Sequence, residues 1–172
     1  KSKGNVVPPS SVIEPFGADT MRLTILFIAP PEKDFDWDPK AVEGANRFIK
    51  RSWRTVWQLA DGAVAGEVSM DALSEPGRTL FRELNRTLAK CTADFDRQQF
   101  NTAISAIMEL VNAANAYLNA GPADARDAAL THLVATDIVS ALAPICPFWA
   151  EELWHAALGH KGSVYTEAAW PA

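Results

Sequence analysis

The chain has 172 residues, is 48% hydrophobic and carries a net charge of −5. That is enough for one medium-sized core without disulfides or metals, and no apolar run is long enough to span a membrane. With no secretory signal pattern and two cysteines, Cys91 and Cys146, spaced for neither metal nor redox chemistry, the expectation is a cytoplasmic protein with reduced core thiols.

The first residues, Lys1-Ser2-Lys3-Gly4-Asn5, suit a phosphate-binding loop. Two ammonium groups supply charge, a hydroxyl supplies a donor, and the glycine lets the backbone approach. A flexible tail has the same composition. Beyond Pro8-Pro9, Ser11-x-x-Glu14 predicts a capping box starting a short helix closed by Gly17. Asp19 is expected to cap a second helix over 20–29, which Pro30-Pro31 ends. Residues 31–39 form an acidic loop in which Phe35 and Trp37 are expected to pin the chain to the core.

Longer helices are predicted over 40–63, 73–97, 98–119, 123–142 and 147–158, with Ser163-Val164-Tyr165 extended. The first should bury Ile49, Trp53, Val56 and Ala60; the second Leu80, Leu84, Leu88 and Cys91; the third Phe100, Ile104, Ile107, Val111, Ala114 and Leu118. In the fourth, Asp137 lies near the apolar side and is expected to cap or pair. The fold class is all-α: an antiparallel helix bundle joined by short loops, preceded by a short helical segment.

Charge is unevenly distributed. Residues 100–172 hold seven acids and two bases, whereas residues 1–99 balance fourteen against fourteen. Arg47, Lys50, Arg51 and Arg54 follow i, i+3, i+4, i+7 and share one helical face about 100° wide. Arg78, Arg82, Arg86 and Lys90 repeat the device at four-residue steps. Such stripes are ordinarily solvated faces, and Glu75 and Glu83 are near enough to pair with the second. Two arginine-rich stripes in an acidic chain also suit phosphate, which guanidinium forks grip bidentately. The remaining reading is a helical interaction module whose basic stripes meet a protein.

Several separated runs resemble class I aminoacyl-tRNA synthetases. Lys1-Ser2 match the last two positions of the family's Lys-Met-Ser-Lys-Ser loop. Phe16-Gly17-Ala18-Asp19-Thr20-Met21-Arg22 matches a second motif. Leu26-Phe27-Ile28-Ala29-Pro30-Pro31-Glu32-Lys33-Asp34, with Val42-Glu43-Gly44-Ala45-Asn46-Arg47-Phe48, resembles the leucyl branch rather than the valyl or isoleucyl one. Leu142-Ala143-Pro144-Ile145-Cys146-Pro147 and Ala150-Glu151-Glu152-Leu153-Trp154 are similar to its helical domain, although Phe148 stands where histidine usually follows the second proline. No His-x-Gly-His loop or editing insertion is present.

The resemblance implies a fragment of a ligase that joins leucine to its tRNA, inactive without the catalytic domain of the same chain. It implies that residues 1–39 are the end of the lysine–serine loop plus a stem-contact segment, and 40–172 a helical tRNA-binding domain of anticodon-binding type. Lys1 would act catalytically on ATP phosphates, with Ser2 and Lys3 also binding ATP. The loop, Lys1 to Asn5, would be disordered without its partner domain. ATP with Mg2+ would be a substrate of the whole enzyme, with no cofactor or metal in this part. Leucine tRNA would be the partner, held by its backbone through the two basic stripes rather than by close reading of the anticodon.

Overall fold

The computed structural model describes residues 7–122 and 125–171, and among these it forms eight helices and no strand. Helix α1 (Ser10–Phe16) passes into α2 (Ala18–Ile28) through Gly17, whose φ of +87° supplies the left-handed turn that glycine tolerates. The capping box is not formed. Ser11 Oγ instead donates to the Pro8 carbonyl at 2.7 Å, and no side chain caps α1. Extended Ala29, followed by Pro30, ends α2.

Three of the long helices begin on side-chain caps. Asp38 accepts from the Lys40 amide at 2.9 Å to start α3 (Pro39–Ala60), and Ser74 accepts from Gly77 at 3.3 Å to start α4 (Glu75–Asp96). Helix α5 (Phe100–Asn119) follows a tight reversal, and Asp127 accepts from Leu130 at 2.8 Å to start α6 (Ala128–Leu142). Helix α7 (Pro147–Ala156) follows, with proline in its first turn. The tail expected to be extended forms α8 (Val164–Glu167) instead, because Ser163 Oγ accepts from the Tyr165 amide at 3.2 Å and caps it.

The core is built by α4, α5 and α6, packed with α2, α3 and α7. Leu80, Leu84, Leu88 and Cys91 of α4 meet Ile104, Ile107, Val111 and Ala114 of α5, as their spacing requires. Each fully buried leucine or isoleucine contributes about 1.5–3 kcal/mol. Burial also pushes the Cys91 thiol up to about 11, which keeps it protonated. Phe35 is 42% exposed and does not pin its loop; Trp37 beside it is half-buried.

Helix α3 is rotated relative to its apolar periodicity. Val42, Ala45, Phe48, Ser52, Thr55, Val56 and Leu59 are buried, whereas Ile49, Trp53 and Ala60 are only half-covered. The buried line lies roughly 70° from the expected one. Two hydroxyls make this possible. Ser52 Oγ donates to the Ile49 carbonyl at 3.1 Å and Thr55 Oγ1 to that of Arg51 at 2.9 Å, so both enter the core satisfied. Asn115 Nδ2 on α5 then donates to Thr55 Oγ1 at 2.8 Å, fixing the rotation.

Asp19 does not cap its own helix. It is buried within α2, and its Oδ2 accepts from the Trp149 amide, 2.6 Å away at the start of α7. Three residues on, Arg22 donates from Nε to the Ile145 carbonyl and from Nη2 to that of Pro144, both at 2.9 Å. Two side chains of α2 therefore hold both sides of the turn between α6 and α7. Burial raises the Asp19 carboxyl above its ordinary range, against the Trp149 and Phe148 amides and the charge of Arg22, which pull it down. Leu23, next to Arg22, is fully buried, so α2 shares the bundle's core.

Asp137 neither caps nor pairs among the described residues, and burial alone pushes its carboxyl up to about 7. Its folded pKa lies above its unfolded one, so its favourable contribution is complete below about pH 4 and lost as the pH rises to 7. Asp137→Asn is therefore expected to raise stability by about 2–4 kcal/mol at pH 8 and to change little at pH 4. Thermal unfolding at the two pH values checks this. Asp19→Ala and Arg22→Ala should each cost about 1–3 kcal/mol; an unchanged urea midpoint in both would rule out the clamp.

Candidate nucleic-acid interface

The rotation of α3 places Arg47, Lys50, Arg51 and Arg54 together on the solvent side. They rim a groove of about 570 Å³ that also meets Phe48 of α3, Phe27 of α2 and Met108 of α5. Arg51 lies over the Phe48 ring with its guanidinium carbon 5.8 Å from the centroid, which steadies it without using its hydrogen-bond donors. Arg47 meets Glu43 only loosely, at 3.9 Å with both side chains largely exposed. Among the described residues, Lys50, Arg51 and Arg54 have no acidic partner within 4.0 Å. Three cations are therefore free to meet an external anion.

The α4 stripe has a different environment. Arg78 donates to the Met70 and Asp71 carbonyls, both at 3.1 Å, closing the preceding loop onto the helix. Glu75 lies 3.9 Å from Arg78 and 3.7 Å from Arg82. Arg86 is held by Glu83 at 2.7 Å and by Glu109 of α5 at 2.8 Å. These hydrogen bonds, Glu83's foremost, raise its already high pKa further. Lys90 meets Asp94 at 2.7 Å. Burial works to raise the Asp94 carboxyl, but hydrogen bonds from Lys90 and Thr102 outweigh it and hold the group below its usual range. The four cations thus serve local structure, as Glu75 and Glu83 had suggested for part of the stripe.

Lys1, Ser2 and Lys3, like Gly4 and Asn5, lie outside the described residues. Among the described residues, no three His, Cys, Asp or Glu side chains are grouped to hold a metal ion, and no helix is long and apolar enough to cross a membrane. Sequence reasoning missed the anchoring roles of Asp19 and Arg22. Their signal was a charged pair three residues apart inside an apolar helix, of which Asp19, being buried, must find a partner.

A family model for the anticodon-binding domain of tRNA ligase matches residues 77–172. The leucine–tRNA ligase of Geotalea daltonii is 45% identical over 174 residues, spanning 100% of this chain and 21% of that protein. The leucine–tRNA ligase of Geobacter sp. M21 is 44% identical, spanning 99% and 20% respectively. The chain thus spans about a fifth of the length of these relatives. Among solved structures, the LeuRS of Agrobacterium radiobacter K84, in a ternary complex with tRNA and LeuAMS, superposes with a TM-score of 0.82 at 31% identity, covering 99% of this chain and 21% of that one. Methionyl-tRNA synthetase of Mycobacterium tuberculosis shares the fold, with a TM-score of 0.68 at 22% identity, covering 92% of this chain and 38% of that one.

The difference in pairing makes the two stripes separable. Arg54→Ala is expected to weaken binding of a tRNA in low salt several-fold more than Arg86→Ala, whose guanidinium is already engaged by two carboxylates. Filter binding of both variants with the same tRNA measures the difference.

Proposed function

The chain belongs to the anticodon-binding domains of tRNA ligases, and from that membership we propose that it is the tRNA-holding helical segment of a leucine–tRNA ligase. Identity of 44–45% to leucine–tRNA ligases across essentially the whole chain supports leucine as the amino acid of the complete enzyme. The Ala29-Pro30-Pro31-Glu32-Lys33 run argues the same way against a valyl or isoleucyl enzyme.

In the complete ligase the leucine carboxylate attacks the α-phosphate of ATP. A carboxyl-oxygen–phosphorus bond forms, and pyrophosphate leaves with the electrons of the broken bond. Lys1 is assigned to the negative charge that develops on the phosphates, with Ser2 and Lys3 beside it, as electrostatic stabilisation of the transition state. ATP arrives with Mg2+ as substrate, and the nucleotide-binding fold comes from the remainder of the enzyme. The setting is cytoplasmic protein synthesis. Leucine is then transferred to the tRNA that the bundle holds.

The observation that carries the tRNA role is the quartet on α3: four cations on one face, three of them without an acidic partner among the described residues. Arginine forks match phosphate oxygens, and each phosphate neutralised releases condensed counterions, so binding should fall steeply with salt. Arg78, Arg82, Arg86 and Lys90 are assigned to the same partner in a lesser role, because a phosphate must compete with their carboxylates.

Binding of leucine tRNA and of an unrelated tRNA across a salt series tests this reading. The chain should bind tRNA with affinity falling steeply as salt rises, and a preference for leucine tRNA would add shape recognition by the bundle. Arg51→Glu with Arg54→Glu should weaken binding and lower the log–log salt slope by about 0.7–0.9 for each phosphate that is no longer neutralised. Unchanged affinity in that double variant would exclude the α3 face as the RNA surface.

A further inference from the structure

Beside the cationic line on α3 runs a second set, Lys50, Trp53, Arg54 and Trp57, again spaced i, i+3, i+4, i+7 and so on a single face. Indoles and cations alternate along it. Ile49, Lys50, Trp53 and Arg54 line one hollow of about 420 Å³. Trp57 opens a second of about 460 Å³ with Gln58, Ala60, Asp61, Gly62 and Ala157. Trp53 packs partly against the core, whereas Trp57, one turn on, is 40% exposed. Elsewhere the indole N–H groups of Trp154 and Trp170 are committed to Glu167 at 3.1 Å and Thr92 at 2.8 Å. Those of Trp53 and Trp57 have no protein acceptor among the described residues; the same holds for Trp149, but its indole is buried, whereas Trp57 is open to solvent.

We propose that this face takes an unpaired nucleotide of the bound RNA, with its base stacked on Trp57, one turn beyond the Trp53 hollow, and its flanking phosphates on Lys50 and Arg54. The proposal rests on the reading of α3 as the RNA surface and adds the chemistry of one subsite. Phosphate contact alone needs only the cations. A flat, exposed indole beside them adds a stacking platform, and every base has a face to offer it. The bases of an A-form duplex are stacked within the helix, so the nucleotide must come from a loop, bulge or end. Charge also sets the orientation. Asp61 beside Trp57 repels a phosphate but not a base, while Lys50 and Arg54, without acidic partners among the described residues, attract the backbone. An apolar protein segment would fill the hollows but leave these cations unused. Stacking tolerates any base, so the subsite adds affinity for unpaired RNA without reading sequence.

The test compares two probes of equal charge: an oligouridylate of about eight nucleotides and a ribose-phosphate oligomer of the same length with the bases removed. Binding to the chain is followed by fluorescence anisotropy across a salt series. The oligouridylate is expected to bind about five- to a hundred-fold more tightly than the abasic oligomer. Trp57→Ala should abolish that difference while keeping the salt slope, and Trp57→Phe should retain most of it. Because half of the comparison changes only the ligand, a folding defect cannot imitate the result. Equal binding of both oligomers with a steep salt slope overturns the stacking subsite and leaves the phosphate reading standing; the hollows would then suit another occupant, such as a protein segment. A base-dependent difference that survives in Trp57→Ala also overturns it. If neither oligomer nor tRNA binds at low salt, the α3 reading and this subsite fail together.

Discussion

The turn between α6 and α7 is held by a helix more than a hundred residues away in the chain. Asp19 accepts from the Trp149 amide in the first turn of α7, and Arg22 donates to the carbonyls just before that helix. A helix start leaves amides unpaired and a proline-rich turn leaves carbonyls unpaired, so both sets need partners where they are buried. One helix supplies an acceptor and a donor at a spacing of three residues, and Leu23, the next residue, enters the core. This contact fixes α2 against α7. Phe27, one turn beyond Leu23, then reaches the groove that α3 and Met108 complete. The placement of the cationic face thus depends on a polar contact that contains no cation of that face.

Similar spacing gives the two basic stripes different fates, and the local supply of carboxylates decides which. Helix α4 carries Glu75, Glu83 and Asp94 within reach of its own arginines and lysine, and Glu109 approaches across the interface with α5. Helix α3 offers only Glu43, at the edge of contact range. Exposed pairs of this kind are worth little to stability, yet they determine availability: a guanidinium shared between two carboxylates must give them up before it can take a phosphate. In a chain of net charge −5, the unpaired group on α3 is the local exception to the prevailing sign.

What the sequence made legible follows the range of each interaction. Helix α5 buries Ile104, Ile107, Val111, Ala114 and Leu118 as its apolar period requires, but Phe100 is half-buried and Ala103, Ala106, Leu110 and Tyr117 are buried as well, because α2, α3, α4 and α6 all pack on it. The basic stripe of α3 reads correctly from its local spacing. The buried side of α3 does not, because Ser52 and Thr55 return their hydroxyls to their own helix and count as core. Asp19 looks like a local cap, but the amide it serves belongs to Trp149, and no rule confined to one window connects them. Ser163 reads as part of an extended tail, although it caps a single turn of helix. The domain's general form was therefore visible in local patterns. Its internal anchoring was carried by polar contacts between distant segments.

The rotation of α3 also explains why apolar surface remains outside. Placing Ser52 and Thr55 in the core uses positions that Ile49 and Trp53 would otherwise fill, and it turns Trp57 toward solvent. Helix α4 shows the alternative, since its leucines at 80, 84 and 88 are all buried and its polar side is charged. A helix arranged for stability alone would bury its largest rings first, because they offer the most apolar area. Helix α3 instead buries two hydroxyls and leaves indoles beside free cations. Burying two small hydroxyls at the expense of large rings reduces hydrophobic stabilisation, and it produces a surface with both stacking faces and positive charge. That combination matches a flexible polyanion with exposed bases more closely than it matches a protein face, which needs no such excess of charge, or a duplex, which offers no free bases.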